Sequence, residues 1–226
     1  CDDANPCTVD WCDPGTGCEN EVVDCDDADL ATVDSCDPSS GDCTNVPTCP
    51  TGTTMVDYTD GTIADPATCL VWQKTPNAGT FQLCETLGDY DDCPAEERHA
   101  AIHCQSNEDG LRGTGWRLPT IGELRSLVKD CAATATGGSC GVTDSCLSSS
   151  CGSWGPCIGC TGGAGPGEGG SYIDSIFFNS GILRFLSSST TSDLPANVWS
   201  VHFDYGKVHL DNADYDYGVR CVRQGP

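Results

Sequence analysis

Two short stretches of the sequence have the residue types and spacing of catalytic or redox motifs. Residues 137–141 read GGSCG, which fits the G-x-S-x-G pattern of a nucleophilic serine. That pattern works only on a tight turn between a strand and a helix, and apolar strand and helix patterns are absent on both flanks. Cys157 and Cys160 have the spacing of a redox pair or of half a zinc site. Because four further cysteines surround them, we interpret them as structural disulfide partners.

A pair of histidines, His99 and His103, lies on a predicted helix at a spacing that could face one metal ion. No Glu follows His99 as it does in the H-E-x-x-H motif, so a zinc protease is not indicated. We interpret both histidines as surface or packing residues. Carboxylates are so abundant that a glycosidase pair can be neither proposed nor excluded from position alone. We therefore predict a protein that is not an enzyme and has no catalytic residues.

The acidic and aromatic stretch 211–218, DNADYDYG, carries the most binding chemistry. Its carboxylates, amide and tyrosines suit Ca²⁺ coordination, or stacking and hydrogen bonding to a sugar. The E-P-N and W-N-D signatures of calcium-dependent lectins are absent, so a solvated acidic loop is the alternative. The candidate ligand-binding residues are Trp199, Asp211, Asn212, Asp214, Tyr215 and Tyr217.

A candidate cation site lies near the first residue of the chain. Asp2, Asp3, Asn5 and Asp10 offer the hard oxygen ligands that Ca²⁺ prefers. A full loop of the form D-x-[DN]-x-[DN]-G is absent, so a solvated acidic surface is again the alternative. Ca²⁺ is the one ion that the sequence suggests, and the predicted function requires no cofactor.

The elements that position these residues belong to an acidic, cysteine-rich chain. The 226 residues include 19 cysteines and carry a formal net charge of −24. Such a cysteine density persists as disulfides only in an oxidising place, so we predict an extracellular or cell-surface location. The charge excludes nucleic acid, since phosphates need clustered Lys and Arg, and no apolar run forms a transmembrane segment. The odd count leaves at least one thiol free, modified or paired with another chain.

Residues 1–50 contain two copies of one acidic repeat and no Lys or Arg. The segment that begins at Cys1 aligns with the segment that begins at Cys25, at a step of about 24 residues. Ala31 stands where the first copy has Cys7, so the two copies cannot share one pairing scheme. Because each copy has too few apolar residues for a core, we predict a disulfide-stapled, mostly irregular region.

The remaining residues, 51–226, have the pattern of a globular domain. Thr120 and Glu123 form a capping box at the start of one predicted helix. Residues 131–170 are rich in Cys, Gly and Ser, which predicts a loop insertion held by disulfides of open connectivity. Apolar runs and alternation predict three further elements: a strand at 70–72, a helix at 94–104 and a hairpin at 199–210.

The order of these motifs resembles that of the Lcl C-terminal domain family. The resemblance is carried by DPATCLVWQKT, GWRLPTIGELRSLV, FLSSST, VWSVHFDYGKVHL and GVRCVR, over roughly residues 54–224. It implies a fold similar to that of C-type lectins, in which a long disulfide ties the first helix to the last strand. Here that pair is Cys104 and Cys221. Cys69 departs from the family pattern, which usually has Gly there, and Leu186 stands where Trp is usual.

The N-terminal copies resemble the short Cys-rich repeats found in tandem in extracellular proteins of slime moulds and some bacteria. That resemblance implies an extracellular spacer. We therefore expect an α+β fold, with a C-type-lectin-like domain of two helices and a small antiparallel sheet behind the repeat region.

For function, we predict a non-enzymatic binding or adhesion module on the outside of a bacterium. Its expected partner is a glycan or an extracellular matrix or surface protein. The alternative is a structural subunit of an extracellular filament or surface layer. In that case copies of the chain bind each other through repeat-to-domain contacts or an intermolecular disulfide.

Overall fold

The computed structural model describes residues 1–27, 32–76, 81, 99–152, 155–177, 181–194, 196–213 and 215–225. Within these ranges the chain forms eleven strands and two short helices. The first five residues of the segment predicted as the first helix, residues 94–98, lie outside the described residues.

Each N-terminal repeat forms one antiparallel β-hairpin. In the first repeat, β1 (Thr8–Asp13) pairs with β2 (Gly17–Val22). In the second, β3 (Thr32–Cys36) pairs with β4 (Cys43–Pro47). The same local sequence therefore builds the same small unit twice.

An aspartate closes the turn of each hairpin. The Asp13 Oδ1 atom accepts hydrogen bonds from the backbone N–H groups of Gly15 and Thr16, at 2.7 and 2.9 Å. In the second turn the Asp37 Oδ1 atom accepts the N–H of Ser39 at 2.8 Å. Short acidic side chains favour such turns because they can bond to the backbone two residues further on.

Disulfides take the place of a hydrophobic core in the repeats. None of the described residues in 1–57 is buried. One bridge joins Cys25 to Cys43 within the second repeat, and another joins Cys7 of the first repeat to Cys36 of the second. The two hairpins are therefore covalently linked to each other.

A four-stranded antiparallel sheet joins the beginning and the end of the C-terminal domain, residues 51–226. It contains β5 (Val56–Asp57), β6 (Thr62–Asp65), β7 (Leu70–Gln73) and, after β8–β10, the last strand β11 (Val222–Gln224). The strand order is β11-β7-β6-β5. All residues of β6 and β7 are buried, as expected for strands covered on both faces. The predicted strand at 70–72 is confirmed.

A second, three-stranded sheet contains the predicted C-terminal hairpin. Its strands are β8 (Arg184–Thr190), β9 (Asn197–His202) and β10 (Lys207–Asn212), in the order β10-β9-β8. β9 lies in the centre and is almost wholly buried. β10 is an edge strand, so the side that does not pair with β9 can contact other parts of the chain.

The two helices are α1 (Ala100–Gln105) and α2 (Ile121–Ser126). The predicted capping box of α2 is confirmed, because Thr120 Oγ1 accepts the Glu123 N–H at 3.2 Å and Glu123 Oε2 accepts the Thr120 N–H at 2.7 Å. Arg117 donates to both carboxylate oxygens of Glu123, at 2.6 and 2.7 Å. These contacts fix where α2 begins.

The insertion 131–170 is held by three disulfides and by a buried arginine of α2. Arg125 donates to the backbone carbonyl oxygens of Thr134 at 2.8 Å, Ala135 at 3.0 Å and Val142. The bridges are Cys131–Cys160, Cys140–Cys157 and Cys146–Cys151. The insertion is thus a structured layer of the domain.

Two further bridges close the domain. Cys104 in α1 is bonded to Cys221, the pair that the family resemblance implies. Cys49 is bonded to Cys69 in the turn between β6 and β7. Cys69 has a φ of 56°, in the left-handed region that favours glycine, which explains why the family usually has Gly there.

The expectation of an α+β fold is wrong. Of the described residues, 32% lie in strands, which form several small antiparallel sheets, and 9% lie in helices. Helical periodicity at 121–128 spans only about two turns, and the disulfide-bonded insertion follows immediately, so α2 has six residues. The repeat region is not mostly irregular, because alternating residues and aspartate-closed turns give each repeat a hairpin. The expected C-type-lectin-like arrangement of two helices and one small sheet is also wrong, because the described residues of the domain form two separate antiparallel sheets.

Candidate ligand-binding cleft

A cleft of about 400 Å³ lies along the edge of the three-stranded sheet. The described part of the loop 149–158 folds over β10, where the Val208 N–H donates to the Cys157 carbonyl oxygen at 3.0 Å. The loop and the sheet therefore form the two walls. The lining includes Ser149, Gly152 and Ile158 from the loop and Trp199, Lys207 and His209 from the sheet.

The floor of the cleft is apolar and rigid. Trp199 is buried, and its indole N–H donates to the Leu147 carbonyl oxygen at 3.1 Å. A Cβ atom on Gly152 would lie 2.4 Å from the Trp199 ring, so only glycine allows this close approach of the loop. The indole therefore holds the loop in place.

The rim of the cleft is mixed in character. Asp193 fixes Ser149 by accepting its N–H at 2.8 Å and its hydroxyl at 2.6 Å. These two hydrogen bonds lower the pKa of Asp193. Ile158 is 53% exposed and offers an apolar contact at the mouth. The rim thus combines hydrogen-bonding groups with one exposed aliphatic side chain.

A half-buried carboxylate organises the strand that carries His209. Asp211 accepts hydrogen bonds from the Ser200 hydroxyl, from His202 Nε2 at 2.8 Å and from His209 Nδ1 at 2.8 Å. Burial alone would raise the pKa of Asp211, but these hydrogen bonds outweigh burial and hold it well below its usual range. Burial, followed by the Asp211 charge, raises the pKa of Tyr217, which also bonds to Asp211.

The same cluster has the geometry of a metal-ligand set. Ligand atoms of His202, His209 and Asp211 all lie within 4.8 Å of one another. Both carboxylate oxygens already accept hydrogen bonds from the two imidazoles, so the cluster is satisfied by its own side chains. Its structural effect is to hold the His209 ring against Asp211 and His202, on the face of the sheet opposite Trp199.

The predicted ligand-binding residues do not meet on one exposed loop. In the β9–β10 register Trp199 is opposite Leu210, and Asp211 is opposite Val198, so Trp199 and Asp211 point to opposite faces. Of the others, Tyr217 is buried, Asn212 is half-buried, Tyr215 is exposed, and Asp214 lies outside the described residues. The 211–218 stretch is therefore divided between a buried network and the surface.

The predicted N-terminal cation ligands are only partly clustered. Oxygen atoms of Asp2, Asp3 and Asp10 lie within 4.8 Å of one another. Asn5 has another role, because its Oδ1 atom accepts the Cys7 N–H at 3.1 Å.

The second repeat contains an equivalent cluster that the sequence reasoning missed. Asp26, Asp27 and Asp34 occupy the aligned positions and also lie within 4.8 Å of one another. In both repeats the same atom, Oδ1 of Asp10 or Asp34, is shielded from solvent without a hydrogen-bond partner. The repeat alignment itself was the signal that could have revealed this second cluster.

The histidine and cysteine motifs have structural roles. His99 caps α1, with Nδ1 accepting the N–H groups of Ala101 and Ile102. His103 is buried and contacts the carboxylates of Glu108 at 3.1 Å and Asp109 at 2.7 Å.

Cys157 and Cys160 do not bond to each other. Their disulfide partners are Cys140 and Cys131, respectively. The interpretation of these two cysteines as structural is therefore confirmed.

The cleft residues Ser149, Ile158, Lys207 and His209 were missed as functional candidates. A weak signal existed on β10, where Lys207, His209 and Asp211 alternate as polar residues on one face. No local signal shows that residues 149–158 fold over that strand, since this depends on disulfides between distant cysteines.

Comparison with known families gives two matches. Residues 61–223 match the family model described as the Lcl C-terminal domain, and residues 1–22 and 24–48 match the Dictyostelium (slime mold) repeat. Neither the curated proteins nor the solved structures give a match. Over the described ranges, no helix has the length and apolar character that crossing a membrane requires. The abundant disulfides and the repeat match indicate a secreted or extracellular protein.

Proposed function

The chain belongs to the Lcl C-terminal domain family, and we propose that it is a non-enzymatic binding module on the surface of a bacterial cell. The observation that carries this proposal is the cleft between β10 and the loop 149–158. Its rigid apolar floor and hydrogen-bonding rim are typical of small-ligand sites. We assign no bond-cleaving reaction to the cleft, and we expect a broad hydrolase screen to show no activity.

We propose a neutral glycan as the ligand of this cleft. Sugars present apolar C–H faces and hydroxyl edges, which suit Ile158 on one side and Ser149, Lys207 and His209 on the other. A cleft of about 400 Å³ suits a small ligand such as the end of a glycan chain. The net charge of −24 disfavours sulfated or phosphorylated chains through repulsion.

A glycan array and a panel of matrix and surface proteins, each with and without Ca²⁺, test the proposal. The variant Ile158→Asp introduces a charge at the mouth and is expected to abolish binding of the ligand that the array identifies. Ile102→Asp is the matched control, since Ile102 in α1 is exposed to a similar degree and does not line the cleft. No binding above background on either panel, or equal loss in both variants, would overturn the proposal.

We also propose that each repeat binds one Ca²⁺ through its three clustered aspartates. The supporting observation is the shielded, unpartnered Oδ1 atom that recurs in Asp10 and Asp34. Extracellular Ca²⁺ modules bind with dissociation constants of about 10⁻⁴–10⁻³ M, and the same range is expected here.

Calorimetric titration with Ca²⁺ tests this site. The double variant Asp10→Asn and Asp34→Asn is expected to lose binding, whereas Asp42→Asn, an exposed control in the second repeat, is expected to keep it. Unchanged heats in the double variant would contradict the proposal.

A structural subunit of an extracellular filament is the second candidate function. The Cys7–Cys36 bridge favours it, because a longer series of such repeats would form a covalently linked stalk. Electron microscopy of shed surface material is the direct test. Absence of any ordered assembly containing this chain would count against a filament.

A further inference from the structure

The first repeat places three cysteines around one disulfide. The Cys1 sulfur lies against the sulfurs of both Cys12 and Cys18. A cysteine forms one disulfide at a time, so either Cys12 or Cys18 remains outside it. The other described cysteines form seven complete bridges and offer no partner to the one that remains.

The second repeat shows how its aligned cysteines are paired. The four cysteine positions of the repeat are, in order, Cys1 or Cys25, Cys7 or Ala31, Cys12 or Cys36, and Cys18 or Cys43. In the second repeat the first position bonds the fourth, and the third position bonds the second position of the repeat before it. The hairpin registers agree, because the third position lies opposite the fourth in both repeats.

Applied to the first repeat, this scheme pairs Cys1 with Cys18 and leaves Cys12. We propose that Cys12 is a covalent docking site for another repeat of the same type, through the second-position cysteine of that repeat. The incoming repeat would bond Cys12 as Cys7 bonds Cys36.

The surface beside Cys12 supports this docking independently of the cysteines. In the second repeat Gly41 has a φ of +80°, and a Cβ atom there would lie 2.6 Å from the carbonyl oxygen of Pro6 in the first repeat. The aligned glycine of the first repeat, Gly17, has a φ of +100° and nothing within 4 Å of its Cβ position. The surface that one repeat covers on the next is therefore open on the first repeat, and Cys12 beside it is exposed.

The scheme also gives the array a direction. Ala31 stands at the second position of the second repeat, so that repeat has no cysteine to donate. The array therefore ends beside the C-terminal domain and extends from the first repeat. Cys7 of an identical wild-type chain is already bonded to Cys36, so the incoming repeat needs an unpaired second-position cysteine.

Bond formation at Cys12 is an oxidation with a defined balance. The two thiols lose two protons and two electrons and form one disulfide. A small-molecule disulfide such as oxidised glutathione accepts them and becomes two thiols, through a mixed-disulfide intermediate. The proposal concerns the repeats alone and is independent of what the cleft binds.

Mixing two forms of the full chain tests the proposal. The wild-type chain is the acceptor, and the donor is the double variant Cys12→Ser and Cys36→Ser, in which Cys7 has lost its partner. In a glutathione redox buffer we expect a one-to-one adduct, with a peptide that joins donor Cys7 to acceptor Cys12. The acceptor variant Cys12→Ser is expected to form no adduct, and so is a donor that also carries Cys7→Ser.

Peptide mapping separates docking from misfolding and from simple thiol reactivity. Donor and acceptor must both retain the Cys25–Cys43 and Cys104–Cys221 bridges. Specific docking predicts that the adduct forms even in excess glutathione. A Cys1–Cys12 bridge with Cys18 free, a symmetric Cys12–Cys12 dimer, or glutathione on Cys12 in place of the donor would each overturn the proposal.

Native material tells where the incoming repeat comes from. If it lies on the same polypeptide, reduction leaves one chain of the same length. If it lies on a separate polypeptide, reduction divides the material into two chains. Either result with a Cys12 bridge supports the docking site, and a free Cys12 thiol in native material contradicts it.

Discussion

The N-terminal repeats and the C-terminal domain differ in what holds their strands together. No described residue in 1–57 is buried, whereas the domain packs large side chains such as Trp72, Leu124 and Trp199 into a continuous core. In the repeats, disulfides take the place of a hydrophobic core. In the domain, they stabilise a structure that also has a hydrophobic core. A disulfide therefore contributes differently to the stability of the two regions, and four experiments distinguish the regions.

Reduction is expected to have the largest effect, because it should unfold the repeats while the domain is destabilised but stays folded. Isolated two-stranded hairpins are marginal in water, so the repeats should unfold once their bridges are reduced. The domain loses about 4–5 kcal/mol with the Cys104–Cys221 bridge, whose loop has 117 residues, but keeps its buried core. Hydrogen exchange with reductant should show loss of protection in β1–β4 and retained protection in β7 and β9. Equal loss in all of these strands would break the comparison.

A core truncation should affect the domain strongly and has no counterpart in the repeats. Leu124 is fully buried in α2, so Leu124→Ala is expected to cost about 3 kcal/mol through lost burial and a cavity. Val46→Thr in β4 changes an exposed side chain and should stay within about 0.5 kcal/mol. Denaturant unfolding measures both values, and similar costs in the two variants would contradict the assignment of the core to the domain alone.

A pH experiment isolates the half-buried carboxylate of the domain, Asp211. Hydrogen bonds to a charged group contribute about 1.5–3 kcal/mol, so Asp211→Asn should destabilise the domain by about 2 kcal/mol at pH 7. An unfolded aspartate titrates near pH 4, and the pKa of folded Asp211 is lower. The stabilisation is therefore complete above about pH 5 and is lost as the pH falls towards the folded pKa.

Thermal melting of both proteins at pH 7 and pH 3 tests this expectation. The difference in free energy of unfolding between wild type and Asp211→Asn should shrink at the lower pH. The exposed Asp130→Asn is the control and should show little difference at either pH. A pH-independent deficit in Asp211→Asn would mean that shape, rather than charge, makes Asp211 important.

Local patterns predicted the parts of the fold that depend on neighbouring residues. The capping box at Thr120 depends on a residue three positions away, and the hairpin at 199–210 depends on strict alternation. Local patterns do not predict the bridge between Cys104 and Cys221, which was implied by the family resemblance. In the repeats, the scarcity of apolar residues led to the prediction of a mostly irregular region, and the hairpins were missed.

The candidate site could not be predicted because it is assembled from distant segments. Residues 149–152 and 155–158 lie against β10 within a segment whose six cysteines allow about 15 pairings, so the sequence does not determine their position. The Asp211 network depends on the register between β9 and β10, since Ser200 and His202 become its partners only across that pair. Composition showed that 211–218 is acidic and aromatic, but which side chains are buried is decided by tertiary packing.

The smallest expected effect concerns the bridge that joins the linker after the repeats to the domain. Cys69 has a left-handed φ of 56°, a conformation that costs a residue with a Cβ atom about 1–2 kcal/mol. In a protein that also carries Cys49→Ser, the variants Cys69→Gly and Cys69→Ala both lack the bridge. They differ in the energetic cost of the left-handed φ at position 69. The greater freedom of glycine in the unfolded chain offsets part of it, so the Gly variant should be more stable by about 0.5–1 kcal/mol. Denaturant unfolding of the two variants measures this difference in stability. An Ala variant of equal or greater stability would show that the disulfide is formed at Cys69 without a backbone cost.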